Sequence, residues 1–268
     1  MTQQAETTDV TPRATVAVSV ADAVAVVRLT ETKRRNPLSL ETMNSVTAAL
    51  REIASRPDVR AVVVEATGPV FSAGHDLTEM VDRTLDDERE IFQACTEMME
   101  TVQSIPQPVI AAVQGAAIAA GCQLVATSDL AIAADTAVFG TPGVKIGLFC
   151  STPMVAVSRV VGRKRALQML LTGATIDAAT AADWGLINEV VPPDHVVGRA
   201  HELARAIAQA SPLTLRVGKQ AFYRQIDLPQ SDAYAEMAEV MATNAMTCDA
   251  QEGMTAFLEK RPPEWQGR

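Results

Sequence analysis

Pro108-Val109-Ile110-Ala111-Ala112-Val113-Gln114-Gly115-Ala116-Ala117-Ile118-Ala119-Ala120-Gly121-Cys122-Gln123-Leu124 is the stretch on which the fold turns. It opens on an apolar run, Val109–Val113, of the kind a strand buried on both faces needs. Gly115 follows, and then residues small enough for one backbone to approach another closely. The pattern predicts a tightly packed small-residue helix over 116–127. Residues 71–77 (Phe-Ser-Ala-Gly-His-Asp-Leu) repeat the arrangement earlier in the chain, after the apolar run Val62-Val63-Val64 and the turn at Gly68-Pro69. Gly74 lets the backbone turn sharply there. The first N–H groups of a helix have no intrahelical partner, so each segment can offer donors to a ligand. Two such donors aimed at one carbonyl oxygen make an oxyanion hole. Small residues before a helix also serve as a plain packing device, and spacing alone leaves both readings open.

Outward from these segments, strands and helices alternate. Residues 16–29 alternate apolar and polar with a polar break, which predicts a hairpin. Ser39 caps a predicted helix reaching Ser55, with Leu40, Met43, Val46, Leu50 and Ile53 on one face. A charged helix is expected over 86–104, ended by Pro106 and Pro108, and further strands over 130–134 and 186–191. Residues 139–152 read as a Gly/Pro-containing loop, with Pro153 in the first turn of the next helix. From Pro193 the pattern is helical only: 194–210, 213–225, 231–248 and 250–260. Strand–helix units followed by helices predict an α/β core with a C-terminal helical subdomain. Three regions follow: 1–13 as a disordered N-terminal tail, 14–192 as the core, and 193–268 as the helical region.

Composition narrows the function classes. The chain has 268 residues, 48% apolar and 21% charged, enough for one substantial core. A net charge of −9 disfavours a nucleic-acid binder, although Lys33-Arg34-Arg35, Arg163-Lys164-Arg165 and Lys260-Arg261 are basic clusters that could hold phosphate. No apolar run is long enough for membrane insertion. The polar first residues lack an apolar targeting core, so a cytoplasmic protein is expected. Four cysteines (Cys95, Cys122, Cys150, Cys248) and three histidines (His75, His195, His201) form no metal-ligand or disulfide pattern. No GxSxG, GxGxxG or GxxxxGK[ST] occurs, which removes nucleophile-elbow hydrolases and the common nucleotide cradles.

The chain resembles the crotonase (enoyl-CoA hydratase/isomerase) family over roughly residues 15–262. The resemblance is carried by NPLS (36–39), FSAGHDL (71–77), PVIAAVQGAAIAAGCQLVATSDLAIA (108–133), FGTPGVKIGL (139–148), LTG (171–173), AADWGLINEVV (181–191) and EGMTAFLEKR (252–261). It implies a crotonase/ClpP-like spiral of ββα units, with a C-terminal region that builds homotrimers, often paired as hexamers. It also implies an acyl-CoA thioester as partner, in fatty acid metabolism with lyase or isomerase chemistry. Coenzyme A would enter as part of the substrate, with no tightly bound cofactor and no metal. By the same resemblance, the oxyanion donors are the backbone N–H groups of His75 and Ala120. The Ala73 carbonyl meets the adenine, Lys33 and Arg35 lie near the CoA phosphates, and Phe257 and Lys260 reach the nucleotide from a neighbouring subunit.

Two positions depart from the family's hydratases. Their two catalytic glutamates fall on Gln123 and Gly143. Hydration needs one carboxylate to deprotonate water and another to deliver a proton, and removing such a group typically costs ~10²–10⁴ in rate. An amide and a hydrogen cannot replace them, so ordinary hydration is not expected. Replacement groups are sought among Cys150, Ser151 and the His75 side chain. Cys150 is either a nucleophile activated at a helix N-terminus or a small apolar filler. Asp76 is expected to cap the element after it, and Met80, Phe92, Met98 and Met99 to be core or pocket wall. Three hypotheses follow: an acyl-CoA enzyme with chemistry other than hydration, a non-catalytic acyl-CoA-binding or regulatory oligomer, and a hydratase with displaced catalytic groups.

Overall fold

The first strand, β1 (Thr8–Arg13), pairs antiparallel with β2 (Val16–Ala21) in the computed structural model, which describes residues 8–13 and 15–268. This corrects the expected disordered tail over 1–13. Residues 1–7 lie outside the described residues, but 8–13 form a strand. The outer edge of β2 presents a row of N–H and C=O groups, and pairing them satisfies both strands. β2 returns into β3 (Val24–Leu29) through Asp22 and Ala23, both with positive φ, as a tight hairpin turn demands.

The chain then builds its layers by repetition. After β4 (Pro37–Leu38), helix α1 (Leu40–Ala54) starts at Ser39, whose side chain accepts from Thr42 N, and buries Met43, Val46, Leu50 and Ile53. β5 (Ala61–Ala66) is followed by β6 (Val70–Ser72), β7 (Gly74–His75) and α2 (Leu85–Ser104). β8 (Val109–Val113) leads to β9 (Ala116–Ile118) and α3 (Ala120–Thr127). β10 (Leu130–Ala134) leads to β11 (Val138–Gly140), a 3-10 turn over Pro142–Ile146, and α4 (Ser151–Val160). α5 (Arg163–Thr172), β12 (Thr175–Asp177), α6 (Ala178–Trp184) and β13 (Glu189–Val191) close this part.

The units that begin with β5, β8 and β10 thus each send one strand to a seven-stranded sheet, ordered β1-β2-β3-β5-β8-β10-β13, and one to a four-stranded sheet, ordered β12-β11-β9-β6, while β4 pairs with β7. β3, β5, β8, β10 and β13 run parallel, and so do β6, β9 and β11. This is the spiral of ββα units. β8 is buried along its whole length, as its apolar run requires.

Segment 116–127 is not one helix. Ala116–Ile118 is a strand held between β6 and β11, and the helix starts only at Ala120. Sheet pairing overrides the helical propensity of alanine. Ala119 joins the two with φ 51° and ψ −115°, outside the ordinary regions for an L-residue. The loop expected over 139–152 is also more ordered, since β11, the 3-10 turn and the start of α4 occupy most of it.

The C-terminal helices are α7 (Val196–Ala208), α8 (Pro212–Gln225), α9 (Gln230–Ala245) and α10 (Cys248–Glu259). α7 departs from the expected division at 192/193. It packs on β5, β8 and β10 through Val196, Ala200, Ala204 and Ala208, and so belongs to the core. α8 is attached by Lys219, whose buried Nζ donates to the carbonyls of Val102 and Gln107 and meets Asp129 Oδ2 at 2.7 Å. α9 buries none of its residues and presents Tyr234 and Met241 to solvent. No described helix is long and apolar enough to cross a membrane.

Candidate functional site

The two segments that the sequence singled out lie at the C-terminal ends of β5 and β8 and touch each other there. A Cβ built on Gly74 would stand 3.3 Å from Ala120 N and 2.9 Å from both the Ile118 carbonyl and the Ala119 Cβ. Gly74 also has φ +91°, so the position requires glycine on two counts. Gly121 is equally tight, because its Cβ would stand 2.6 Å from the Ser72 carbonyl. The small residues before α3 therefore are a packing device. That close packing also brings the backbone of His75 beside that of Ala120.

Ala120 is the first residue of α3, and the first four N–H groups of a helix point away from it without intrahelical partners. Ala119 N donates to the Gly140 carbonyl at 2.8 Å, which ties the strained turn to β11. On the other segment, Asp76 caps a 3-10 turn by accepting from Thr78 N, as expected, and pairs with Arg34. Burial pushes its carboxyl up, but Thr78 and Arg34 outweigh burial and hold it below the usual carboxylate range. Ala73 N donates to the Arg35 carbonyl at 3.0 Å. Lys33 and Arg35, both exposed, therefore sit on a turn fastened twice to the segment carrying His75.

A cavity of about 600 Å³ opens beside these segments. Ala73, His75, Ile118 and Ala119 form one side, and Phe92 of α2 comes from above. The opposite side is Pro142, Gly143, Lys145, Ile146 and 148–153, which includes Cys150 and Ser151. Its surface is mainly apolar, with Leu77, Ile146, Leu148 and Phe149 all exposed toward it or its mouth. Of the four side chains read as core or pocket wall, only Phe92 lines it, whereas Met98 and Met99 are in the core and Met80 packs on its edge.

The proton-transfer positions are where the structure says most. Gln123 does not line the cavity. It is buried on α3, and its Oε1 accepts from the Cys95 thiol of α2 at 3.8 Å. Gly143 does line the cavity, but the space a side chain would use is filled. A Cβ there would stand 2.0 Å from the Leu148 carbonyl and 2.9 Å from Cys150 Sγ. Leu148 N donates back to the Gly143 carbonyl at 3.0 Å, which closes the 3-10 turn onto this glycine. Among the described lining residues there is no carboxylate.

The replacement groups fare unequally. Cys150 caps α4 without a side-chain hydrogen bond, and burial pushes its thiol up despite the Gly143 N–H. The net shift is upward, opposite to the direction an activated nucleophile needs. Ser151 Oγ is exposed and contacts only the Phe149 carbonyl, at 3.4 Å. His75 differs from both. Its ring stands edge-on to Phe92, with centroids 5.4 Å apart and planes at 86°. Nε2 is enclosed without a hydrogen-bond partner, and burial lowers the imidazole pKa to about 4. Phe257 and Lys260, at the end of α10, are exposed and do not line this cavity.

Sequence reading missed Leu77, Lys145 and Ile146 as cavity wall. Only Ile146 carried a signal, as an apolar residue in a segment too rich in glycine to be core.

A family model described as enoyl-CoA hydratase/isomerase matches residues 19–268. The chain is 43% identical over 245 residues to the rat protein named enoyl-CoA hydratase domain-containing protein 3, mitochondrial, covering 91% of this chain and 82% of that one. Among solved structures, human enoyl-CoA hydratase domain-containing protein 3 superposes with a TM-score of 0.92 at 42% identity, over 94% of this chain and all of that one. An enoyl-CoA hydratase of Mycobacterium smegmatis gives 0.91 at 42% identity, over 94% and 98%. The word mitochondrial in the rat protein's name overturns the cytoplasmic expectation. Mitochondrial leaders are amphipathic rather than apolar runs, so the lack of an apolar core does not bear on that location.

Proposed function

The chain belongs to the enoyl-CoA hydratase/isomerase family, and on that premise we propose that it binds an acyl-CoA thioester and polarises its carbonyl without hydrating it. The observation that carries this reading is the seating of Gly74 against Ala120 N beside a mainly apolar cavity, set against the filled space at Gly143. The His75 and Ala120 N–H groups are the proposed donors to the thioester oxygen. Lys33 and Arg35 are the proposed contacts to the CoA phosphates, and the Ala73 carbonyl to the adenine. Phe257 and Lys260 would reach the nucleotide from a neighbouring copy in a homotrimer or a pair of trimers. The exposed apolar residues of α9 and α10 (Tyr234, Met241, Phe257, Leu258) support such an assembly. Coenzyme A would be part of the ligand, with no other cofactor and no metal.

Polarising a thioester stabilises an enolate, which serves isomerisation, hydrolysis and C–C bond cleavage as well as hydration. A second reading, a non-catalytic acyl-CoA-binding oligomer, is favoured by the absence of any carboxylate among the described lining residues. One experiment separates them: saturated, enoyl and 3-hydroxyacyl-CoA esters are incubated with the protein, binding is measured, and products are followed by mass spectrometry. Product from any ester supports the enzyme, and binding without product supports the non-catalytic oligomer. Hydration of crotonyl-CoA that is lost on Gln123→Ala sinks the rejection of hydration. Failure to bind any ester sinks the whole proposal.

A further inference from the structure

His75 is a mostly enclosed polar side chain in a mainly apolar cavity wall, where the other polar side chains are Lys145, Ser151 and Thr152. Neither of its ring nitrogens has a hydrogen-bond partner among the described residues; Nε2 is shut away from solvent and cavity alike, so Nδ1, which is not enclosed, is the nitrogen a ligand can reach. Leaving a buried polar group unpaired costs about 1–3 kcal/mol. An aliphatic or aromatic residue would fill the same space against Phe92 without that cost. The imidazole is also fixed: its backbone lies in β7, paired with β4, and its ring abuts Phe92 edge-on. A polar ring kept in place at that cost, with Nδ1 left open and unpaired at a ligand cavity, is an arrangement that a ligand can use.

The ring's chemistry limits what that ligand group is. Burial keeps the imidazole neutral at physiological pH, so it offers one N–H and one lone pair and no charge. A carboxylate or an ammonium would have to give up its hydration in this mainly apolar cavity, a cost that one hydrogen bond to a neutral ring does not offset. A hydroxyl or carbonyl oxygen suits it. We propose that the His75 side chain is a specificity-determining residue, which hydrogen-bonds an oxygen carried on the acyl chain and so selects oxygenated acyl-CoA thioesters over saturated ones. This rests on the reading that the cavity takes the acyl part of a CoA thioester. His75 then has two separable roles, its backbone serving the thioester and its side chain the substituent.

The test is a binding comparison among butyryl-, 3-hydroxybutyryl- and 4-hydroxybutyryl-CoA by calorimetry, for the wild type, His75→Phe and His75→Gln. The wild type is expected to bind at least one hydroxylated ester about 10-fold tighter than butyryl-CoA, the factor one such hydrogen bond gives. His75→Phe should bring the affinities for all three esters within about 2-fold of one another, with circular dichroism reporting that the variant is folded. His75→Gln should recover part of the preference. Equal wild-type affinities for the three esters overturn the proposal and leave the thioester reading standing. So does a preference that survives in His75→Phe. If His75→Phe does not fold, the wild-type comparison and His75→Gln decide it: a preference unchanged in His75→Gln at every hydroxyl position counts against the side chain. No binding of any ester overturns this proposal and the function it rests on together.

Discussion

The two walls of the cavity are built from the same material, a strand end followed by a glycine-bearing turn, and they put it to opposite uses. At Gly74 the missing side chain leaves room for the backbone of Ala120, and two N–H-bearing segments come together. At Gly143 the missing side chain leaves room for the Leu148 carbonyl and Cys150 Sγ, and the space a reactive group would need is closed. One glycine assembles backbone donors and the other excludes a side chain. The proposed binding site and a proton-transfer site would therefore be separable in physical terms, since the first is made of backbone and does not depend on the side chains that the second needs.

The comparison breaks most visibly at Gly143. Gly143→Glu should destabilise the protein by about 3 kcal/mol or more, because overpacking here meets backbone rather than a flexible side chain. Urea unfolding measures it, and crotonyl-CoA hydration should not appear even when Gln123→Glu is added. Full stability with hydration gained would erase the distinction between the walls. Gly74→Ala comes next. It introduces a Cβ at positive φ and within 2.9 Å of two neighbours, so about 2 kcal/mol of stability and at least about 10-fold in thioester affinity should be lost. An alanine variant with wild-type affinity would mean that this wall holds no donors.

A smaller effect sharpens the comparison through pH. The folded His75 has its pKa lowered to about 4 by burial, below the ordinary value of 6.5. The unfolded chain therefore binds more protons between these values, and stability must rise with pH across that window and fall as pH drops through it toward 4. Denaturant midpoints from pH 4 to 7 should show this slope, and His75→Phe should flatten it. Last, alkylation by iodoacetamide should label exposed Cys248 well before Cys150, whose thiol is pushed up by burial. Preferential labelling of Cys150 would restore it as a nucleophile on the otherwise unreactive wall.

How much of this was readable in the chain depends on whether the cause was local. β5, β8 and β10 announce themselves as apolar runs, and α1 by the spacing of Met43, Val46, Leu50 and Ile53. The same holds for Gly74, whose need for a sharp turn belongs to its own backbone. β9 was not readable, because Ala116, Ala117 and Ile118 become a strand only through partners at 70–72 and 139–140. Nor was the turning of Gln123 toward Cys95, or the folding of 148–150 onto Gly143, since both depend on residues brought close by the fold. The loss of two carboxylates was legible as letters. That one of the positions does not face the cavity and the other has no room for a side chain was not.

That filled position bears on the chain's accessible history. A glutamate at 143 meets the Leu148 carbonyl, so residues 147–150 would have to be rebuilt before the substitution could be tolerated. A carboxylate there is closed to a single substitution, and the order of changes matters: the loop must move first. Tolerance at position 143 is thus epistatic on the residues that pack against it.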